Sequence, residues 1–314
     1  MIQRTFDETS DIDSSVAIQF ALHDFGDRGA SSTETASLGG MAHLVNFWGS
    51  DTIEGIIAAL VHYNANITDA SAPVVARTIP ASEHSTITSW GKKNEVKAFE
   101  NMIDQFGGEG KIFACVSDSY DIFAACKDLW GNQLKDKVIN NGGTLVVRPD
   151  SGDPTIVPIQ VLDILMDQFG YTTNSKGYKV LPSFIKVIQG DGITEETLDQ
   201  ILQNLKTAKI SVENIVFGMG GGLLQNMNRD TLKYAMKASA IIVGDEEWKG
   251  FSKSPVTDKG KESKEGVLKL VCEDGIYKTV SNSSPGKNLL KTRYLNGNIM
   301  NTITFEEVRA NAKL

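Results

Sequence analysis

Cysteine and proline are scarce in this chain of 314 residues, which has three cysteines and eight prolines. Cys115, Cys126 and Cys272 form neither a CxxC pair nor another spacing typical of a metal site. Their odd number argues against a disulfide-stabilised secreted protein, so we expect reduced thiols. Cys115 lies in an apolar run, and we interpret it as a buried strand residue rather than a nucleophile.

Long apolar runs and an excess of positive charge are also missing. No run approaches the roughly 20 apolar residues of a membrane-spanning helix, and the first residues do not resemble a signal peptide. The 31 Lys and Arg residues against 39 Asp and Glu residues give a net charge of −8. This balance disfavours a nucleic-acid-binding surface, so any phosphate must be held locally. We therefore expect a cytoplasmic protein that acts on neither membranes nor nucleic acids.

The alternation of strand-like and helical segments in the sequence favours an α/β fold. Between about residues 50 and 245, strand-like apolar runs alternate with helix-period segments, as in a parallel sheet or barrel. The strand-like runs are residues 111–116, 144–147, 184–188 and 214–217. Each of them ends in a polar or glycine-rich turn. Because α/β barrels bind ligands at the carboxyl ends of their strands, these turns are the candidate site.

Capping signals predict where several helices begin. Residues 51–54 resemble a capping box, after which one helix face is shared by Ile53, Ile56, Ile57, Leu60 and Val61. Asp153 is a candidate cap for a helix with Pro154 at its first position, and Thr194 is a candidate cap for another.

The character of the chain changes after about residue 245. A charged, glycine-containing stretch at residues 253–265 precedes two strand-like runs, 267–271 and 276–280, which Asp274-Gly275 joins as a hairpin turn would. A helix is predicted from residue 305 to residue 314. We therefore expect a barrel domain at 12–245 and a smaller antiparallel appendage at 246–314.

Generic phosphate and metal motifs do not account for the site. Residues 218–223 lack the third glycine of a dinucleotide fingerprint, and residues 107–112 lack the first glycine and the hydroxyl residue of a P-loop. The four histidines show no HExxH spacing. A glycine-rich turn after a buried strand still suits a phosphate, and Arg229 nearby is a fork-shaped donor for one. Simple loop packing is the alternative for that turn.

Other candidate site residues also have a purely structural alternative. Arg148 and Asp150 flank Pro149, where they either grip an anion and a ribose hydroxyl or pair with each other. Asp191 between two glycines is either a turn residue or a hydroxyl acceptor. His84, next to a carboxylate in a polar loop, is either functional or a structural histidine.

Two further positions are ambiguous in the same way. Phe25 and Arg28 place an aromatic face and a guanidinium in one short turn, which fits a flat heterocycle with a phosphate neighbour or an ordinary glycine turn. Asp51 is either a ligand-binding carboxylate or only the helix cap described above.

Six segments in order resemble the nicotinamide phosphoribosyltransferase family of type II phosphoribosyltransferases. They are residues 22–52, 80–91, 116–131, 148–152 (RPDSG), 174–192 and 217–230 (which contains GMGGG). The resemblance implies an irregular α/β barrel that converts nicotinamide and phosphoribosyl pyrophosphate to nicotinamide mononucleotide and pyrophosphate, with Mg²⁺, in NAD biosynthesis. No metal ligands are assigned by it here.

The resemblance also implies roles for the candidate residues. Phe25 would stack on the pyridine ring, Asp51 would accept the carboxamide N–H, and Arg28 and Arg148 would hold pyrophosphate or the amide oxygen. The ribose and its 5′-phosphate would be held by Asp150, Gly190, Asp191, Gly220, Gly221 and Arg229.

In this family the residue matching His84 is phosphorylated by ATP, and Asp118 would orient it. Because a carboxylate at Asp51 accepts from an amide but repels nicotinate, nicotinamide is the expected substrate. Asp27 and Met219 depart from residues common in relatives, which affects the pocket's local shape.

Relatives also carry an N-terminal region that this sequence lacks, and it contributes to the neighbouring subunit's site. We expect a homodimer, with a separate N-terminal chain as a further partner. The alternatives are a nicotinate phosphoribosyltransferase and a non-catalytic remnant or partner subunit that needs another chain.

Overall fold

The computed structural model describes residues 1–69, 71, 74–228, 230, 231, 236–244 and 246–312. They form two compact units, one of residues 1–227 with 304–314 and one of residues 228–303. The boundary predicted at residue 245 lies inside the smaller unit. The terminal helix belongs to the larger unit because its buried side chains pack there, as described below.

The strands of the chain, in order, are β1 Leu22–Asp24, β2 Gly49–Ser50, β3 Ile112–Val116, β4 Thr144–Arg148, β5 Thr172–Thr173, β6 Lys179–Val180, β7 Ile185–Gln189, β8 Ile215–Met219, β9 Ala240–Ile241, β10 Lys249–Gly250, β11 Leu268–Glu273, β12 Ile276–Ser281, β13 Tyr294–Leu295 and β14 Asn298–Ile299. Six of them form one sheet in the order β2-β1-β8-β7-β4-β3, and every pairing in it is parallel. The carboxyl ends of all six strands therefore meet at one edge.

An extended segment, residues 77–82, closes this sheet into an irregular barrel. It makes a parallel bridge to β2 at Arg77 and another to β3 at Ala81. The N–H of Arg77 donates to the Trp48 carbonyl at 2.7 Å, and the N–H of Ala114 donates to the Pro80 carbonyl at 2.9 Å. Backbone groups at both edges of the sheet are thereby paired. The expected irregular α/β barrel is confirmed.

The α-helices are α1 Ile2–Thr9, α2 Ser14–Ala17, α3 Thr33–His43, α4 Ile53–Tyr63, α5 His84–Thr88, α6 Glu95–Phe106, α7 Ile122–Ala124, α8 Lys135–Asn140, α9 Val157–Phe169, α10 Glu195–Thr207, α11 Gly221–Leu224 and α12 Phe305–Ala312. A π-helical segment, Ala125–Gln133, continues α7. Helix α9 begins at Val157, one turn later than predicted, because Asp153 caps the turn before it through the N–H of Thr155.

The main core lies between the sheet and the surrounding helices. Alternate strand residues such as Phe113, Cys115 and Leu145 point outward into it and are fully buried. Trp130 stacks on Phe99 with ring centroids 4.4 Å apart, and its Nε1 donates to Ser117 Oγ. Each such large apolar side chain contributes about 1.5–3 kcal/mol by leaving water. Cys115 is buried as predicted, and burial raises the pKa of its thiol to about 12.

Helix α4 departs from its amphipathic prediction. Of the predicted face, Ile53, Ile57 and Val61 are more than half exposed, and Ile56 and Leu60 are half-buried. The fully buried residues of the helix are Gly55 and two alanines. The small residues face α3 because the two helices pack closely. A Cβ at Gly55 would lie 2.7 Å from the carbonyl carbon of Gly40. Close packing against α3, rather than side-chain apolarity, therefore determines which face of α4 is buried.

Helix α12 is held in the larger unit by Arg309. Its guanidinium is 5% exposed and donates to the carbonyl oxygens of Leu44 and Val75. It also lies over the rings of Trp48 and Phe305. A planar, always charged group with several donors suits such a buried carbonyl cluster.

The smaller unit consists of short antiparallel pairs. Strands β11 and β12 pair from Leu268 with Ser281 to Glu273 with Ile276. Asp274 and Gly275 both have positive φ, as the predicted hairpin turn requires. The expected antiparallel appendage is confirmed. Within the described ranges, no helix has the length and apolar character of a membrane span.

His43 at the end of α3 makes the stability of the fold pH-dependent. Its Nε2 lies 2.9 Å from the Gly49 carbonyl, and burial lowers the pKa of its imidazole from 6.5 to about 4. Between these two values the unfolded chain binds the proton and the folded chain does not. Stability is therefore lost as pH falls from 6.5 to 4.

We expect protonation of His43 to lower the free energy of unfolding by about 3 kcal/mol over this pH range. The His43→Gln variant should therefore show a weaker dependence of the unfolding free energy on pH. The measurement is urea unfolding at several pH values, with exposed His62→Gln as the matched control. Equal pH slopes in the His43→Gln variant and the unmodified chain would contradict the assignment.

Candidate active site

A cavity of about 1610 Å³ lies inside the barrel and opens at the carboxyl ends of the strands. It exceeds the usual 300–1000 Å³ of small-molecule sites, so it has room for more than one ligand group. Inward-facing Ala81, Ala114, Val146 and Val216 line its middle. A typical barrel interior is filled by branched side chains, and the alanines at 81 and 114 leave more of it open.

Phe25, directly after β1, lies across the carboxyl ends of two neighbouring strands. A Cβ at Gly218 would collide with its ring, and a Cβ at Gly190 would lie 3.4 Å from its Cε2. The ring therefore rests on two bare backbone positions at the ends of β8 and β7. It also lines the cavity, so a flat aromatic ligand has a surface to stack on there.

The turn that carries Phe25 is fixed by its neighbours. The Phe25 N–H donates to the Met219 carbonyl at 3.0 Å, and the Gly26 N–H donates to Asp24 Oδ1 at 2.8 Å. Asp24 is fully buried, and burial raises the pKa of its carboxyl. A Cβ at Gly26 would lie 2.5 Å from Leu224 Cγ, so a residue with a side chain does not fit at this position.

Asp51 follows β2 at the same edge of the barrel. Its N–H donates to the Asp24 carbonyl at 3.0 Å, and its Oδ1 accepts a hydrogen bond from Thr78 Oγ1 at 2.5 Å. Both Asp51 and Thr78 line the cavity. Asp51 precedes α4 as predicted, but the N-cap of that helix is Thr52, which leaves the Asp51 carboxylate for other partners.

Arg148 and Asp150 face the cavity from the end of β4. Arg148 Nη2 lies 3.4 Å from Asp150 Oδ2, and both side chains are partly buried, at 12% and 24% exposed. Burial raises the pKa of Asp150, whereas the nearby Arg148 guanidinium lowers it. Arg148 Nε is buried without a partner among the described residues. The two residues pair, yet each keeps capacity for a ligand.

His84, Asp118 and Ser151 form a hydrogen-bonded chain beside the cavity. His84 Nε2 lies 2.9 Å from Asp118 Oδ1, and Ser151 Oγ donates to Asp118 Oδ2 at 2.5 Å. His84 Nδ1 lies 3.9 Å from Oδ2 of Asp150, which lines the cavity. Since a carboxylate only accepts, the neutral imidazole keeps its proton on Nε2 and presents a lone pair at Nδ1.

The glycine-rich turn and Arg28 meet at the opposite side of the opening. A Cβ at Gly29 would lie 3.3 Å from the Gly221 Cα, so the turn with Arg28 packs on the glycine loop. Apart from its own helix and chain neighbours, no atom of the described residues lies within 4 Å of the Cβ position at Gly221, so a ligand can approach the backbone there. Asp191 lines the cavity next to Gly190.

Most of the predicted site residues therefore face one cavity. Its lining includes Phe25, Arg28, Asp51, Arg148, Asp150, Gly190, Asp191, Gly220 and Gly221. His84 and Asp118 lie beside it through Asp150. Arg229 lies outside the described residues. No group of three metal-binding side chains occurs in the part of the chain that the structure describes.

Several lining residues were not predicted. Thr78 and Arg77 lie on the closing segment, which shows no strand periodicity in the sequence, so no local signal marked them. Lys186 lines the other end of the cavity, where its Nζ donates to the Glu213 carbonyl at 3.0 Å. Burial lowers the pKa of this lysine. A lysine within an apolar strand was the available signal for it.

Comparison with known proteins identifies the family of the chain. The model of the nicotinate phosphoribosyltransferase (NAPRTase) family matches residues 20–298. A nicotinamide phosphoribosyltransferase of Xanthomonas campestris pv. campestris (strain 8004) is 45% identical over 319 residues, covering 99% of this chain and 66% of the relative. One of Mycoplasma pneumoniae is 37% identical over 276 residues, covering 84% and 56%.

A nicotinamide phosphoribosyltransferase of Acinetobacter baylyi is 32% identical over 310 residues, covering 91% of this chain and 60% of the relative. The chain thus spans 66% or less of the length of these curated relatives. The family match covers most of the chain, from just before β1 to the start of β14. The chain belongs to the nicotinate phosphoribosyltransferase family.

Proposed function

We propose that this chain carries the catalytic site of a nicotinamide phosphoribosyltransferase in NAD biosynthesis. The site would join nicotinamide to phosphoribosyl pyrophosphate, giving nicotinamide mononucleotide and pyrophosphate. The observation that supports this most is the convergence of Phe25, Asp51, Arg148, Asp150 and a glycine-rich turn on one cavity. The names of the curated relatives support nicotinamide as the pyridine substrate.

Phe25 and Asp51 are the proposed pyridine-binding residues. The ring of Phe25 offers a face for stacking, and the carboxylate of Asp51 accepts a hydrogen bond from the carboxamide N–H. Arg148, with Nε unpaired among the described residues, is a donor for the amide oxygen or for pyrophosphate. The pyridine nitrogen is then directed toward the ribose carbon that it attacks.

The sugar and its phosphates would occupy the rest of the opening. The 5′-phosphate fits the exposed backbone at Gly220 and Gly221, with Arg229 as a further donor. As the bond to pyrophosphate breaks, positive charge develops on the ribose carbon, and Asp150 and Asp191 offset it. Arg28 and Arg148 offset the negative charge that collects on the departing pyrophosphate.

Mg²⁺ would add to the stabilisation of the leaving pyrophosphate. This ion keeps several waters and substrate phosphate oxygens, so it needs only one or two protein carboxylates. Asp150 and Asp191 supply such oxygens toward one cavity, and Asp191 is among the charges that raise the pKa of Asp150. These two residues are the ones that we propose for contact with the ion.

We further propose that ATP phosphorylates His84 and that this step drives the condensation. The lone pair at Nδ1 attacks the γ-phosphorus of ATP, the bond to the bridging oxygen breaks, and ADP leaves. Asp118, 4% exposed, holds Nε2–H and so stabilises the charged phosphohistidine ring. A cytoplasmic homodimer, with or without a separate N-terminal chain, is the assembly that we propose from the family resemblance.

Product formation by the purified chain tests the proposal directly. With nicotinamide, phosphoribosyl pyrophosphate, Mg²⁺ and ATP, we expect nicotinamide mononucleotide and pyrophosphate in equal amounts, measured by chromatography. Product only after a second polypeptide is added would support the partner-subunit alternative. No product under either condition would contradict the proposal.

Replacing Asp51 with Asn should change the choice between the two pyridines. Nicotinate is the second candidate substrate because the matching family model carries its name and because Arg77 lines the cavity beside Thr78. Loss of the carboxylate removes its repulsion of nicotinate and weakens amide binding. We expect the preference for nicotinamide in kcat/KM to fall about 10-fold to 100-fold. An unchanged ratio would remove Asp51 from pyridine recognition.

Replacing His84 with Gln should abolish transfer of the γ-phosphoryl group to the protein. The measurement is acid-labile labelling by ATP that carries a labelled γ-phosphate, and Asp118→Asn should lower that labelling about 10-fold or more. His62→Gln on the exposed side of α4 is the matched control and should label fully. Full labelling of the His84→Gln variant would show that another group is the acceptor.

A further inference from the structure

The hydrogen bond between Thr78 and Asp51 joins the closing segment of the barrel to the end of β2. Thr78 follows Arg77, whose N–H and C=O both bond to the β2 region, through the Trp48 carbonyl and the Ser50 N–H. Asp51 follows Ser50, and its N–H bonds to the Asp24 carbonyl. Both backbones are therefore held by strand pairing, and the two side chains face each other at 2.5 Å.

This hydrogen bond occupies one acceptor site of Asp51, and among the described residues no other side chain bonds to this carboxylate. Oδ1 accepts from Thr78, so the carboxylate is held against rotation about its side-chain bonds. The other oxygen, Oδ2, remains available to an approaching N–H. A β-branched threonine has few side-chain conformations, so its hydroxyl keeps this position at low entropic cost.

The same bond also occupies Thr78. A hydroxyl has a single O–H donor, and here Asp51 accepts it. A ligand carboxylate at this place finds the Asp51 charge but not the hydroxyl donor beside it. A carboxamide has N–H donors of its own and needs only the free oxygen of Asp51. The pair therefore favours an amide over an acid in two ways.

We infer that Thr78 is a specificity-determining positioning residue for the pyridine substrate. It aims Asp51 at the carboxamide and, while bonded to Asp51, withholds its hydroxyl from a carboxylate. This inference rests on the proposed function. Thr78 acts through Asp51, so its effect should depend on the presence of the Asp51 carboxylate.

A double-mutant cycle with Thr78→Val, Asp51→Ala and the combined variant tests this dependence. Calorimetry measures the Kd of nicotinamide and of nicotinate, and steady-state assays give kcat and KM for both. Thr78→Ser is the conservative variant, and Thr207→Val, an exposed threonine on α10, is the matched control.

For Thr78→Val we expect the Kd and KM of nicotinamide to rise about 10-fold, with kcat and the KM of phosphoribosyl pyrophosphate unchanged. Thr78→Ser should restore the unmodified values. In the Asp51→Ala background, Thr78→Val should have no further effect on nicotinamide. Asp51→Ala should improve nicotinate binding by removing the repulsion and by freeing the hydroxyl, and the double variant should lose the part of that gain that the hydroxyl supplies.

Two results would overturn the inference alone: nicotinamide binding that Thr78→Val leaves unchanged, or an equal effect of Thr78→Val with and without the Asp51 carboxylate. A Thr78→Val variant that loses kcat and phosphoribosyl pyrophosphate affinity together, without rescue by Ser, would mark a general structural role and also overturn it. An unmodified chain that binds neither pyridine overturns the proposed function and this inference together.

Discussion

Parallel pairing of the strands is the constraint on which the site depends. In a parallel sheet every strand ends on the same side, so residues far apart in the chain meet there. Phe25, Asp51, Arg148 and Asp191 each lie at the carboxyl end of a different strand of the one sheet. Closure by residues 77–82 then turns the open edge into a ring around a cavity. Without closure, Thr78 would have no fixed position relative to Asp51.

Small residues and hydroxyl groups complete the site. Glycines at 190 and 218 let the ring of Phe25 lie on the backbone of two strands, where any Cβ would displace or crowd it. Hydroxyl donors hold two carboxylates, with Thr78 on Asp51 and Ser151 on Asp118. The other oxygen of Asp118 bonds to His84 Nε2, and the other oxygen of Asp51 is the one that we propose for the substrate amide. The orientation of the candidate side chains thus depends on the neighbouring residues that pack against them or bond to them.

Local patterns predicted much of the fold and the site, but not all of it. Buried strands and their terminal turns were found because apolar runs followed by polar or glycine clusters are strong local signals. The exposed face of α4 was not, since amphipathic spacing carries no information about how closely α3 approaches. The closing segment was missed because its pairing partners are β2 and β3, distant in the chain. The later start of α9 reflects a local turn at Asp153 that competes with the helix cap.

The sequence by itself determined the class of fold, the strand-end positions of Arg148, Asp150, Asp191 and the glycine-rich turn, and the resemblance to a family, whereas the strands before Phe25 and Asp51 were not predicted. The predicted features follow from periodicity, turn chemistry and motifs, which are properties of neighbouring residues. Only the tertiary structure decided which candidates share a cavity, which oxygen of Asp51 is free, and that His84 presents Nδ1 beside Asp150. Those facts depend on distances between residues far apart in the chain, and such distances exist only once the barrel has closed.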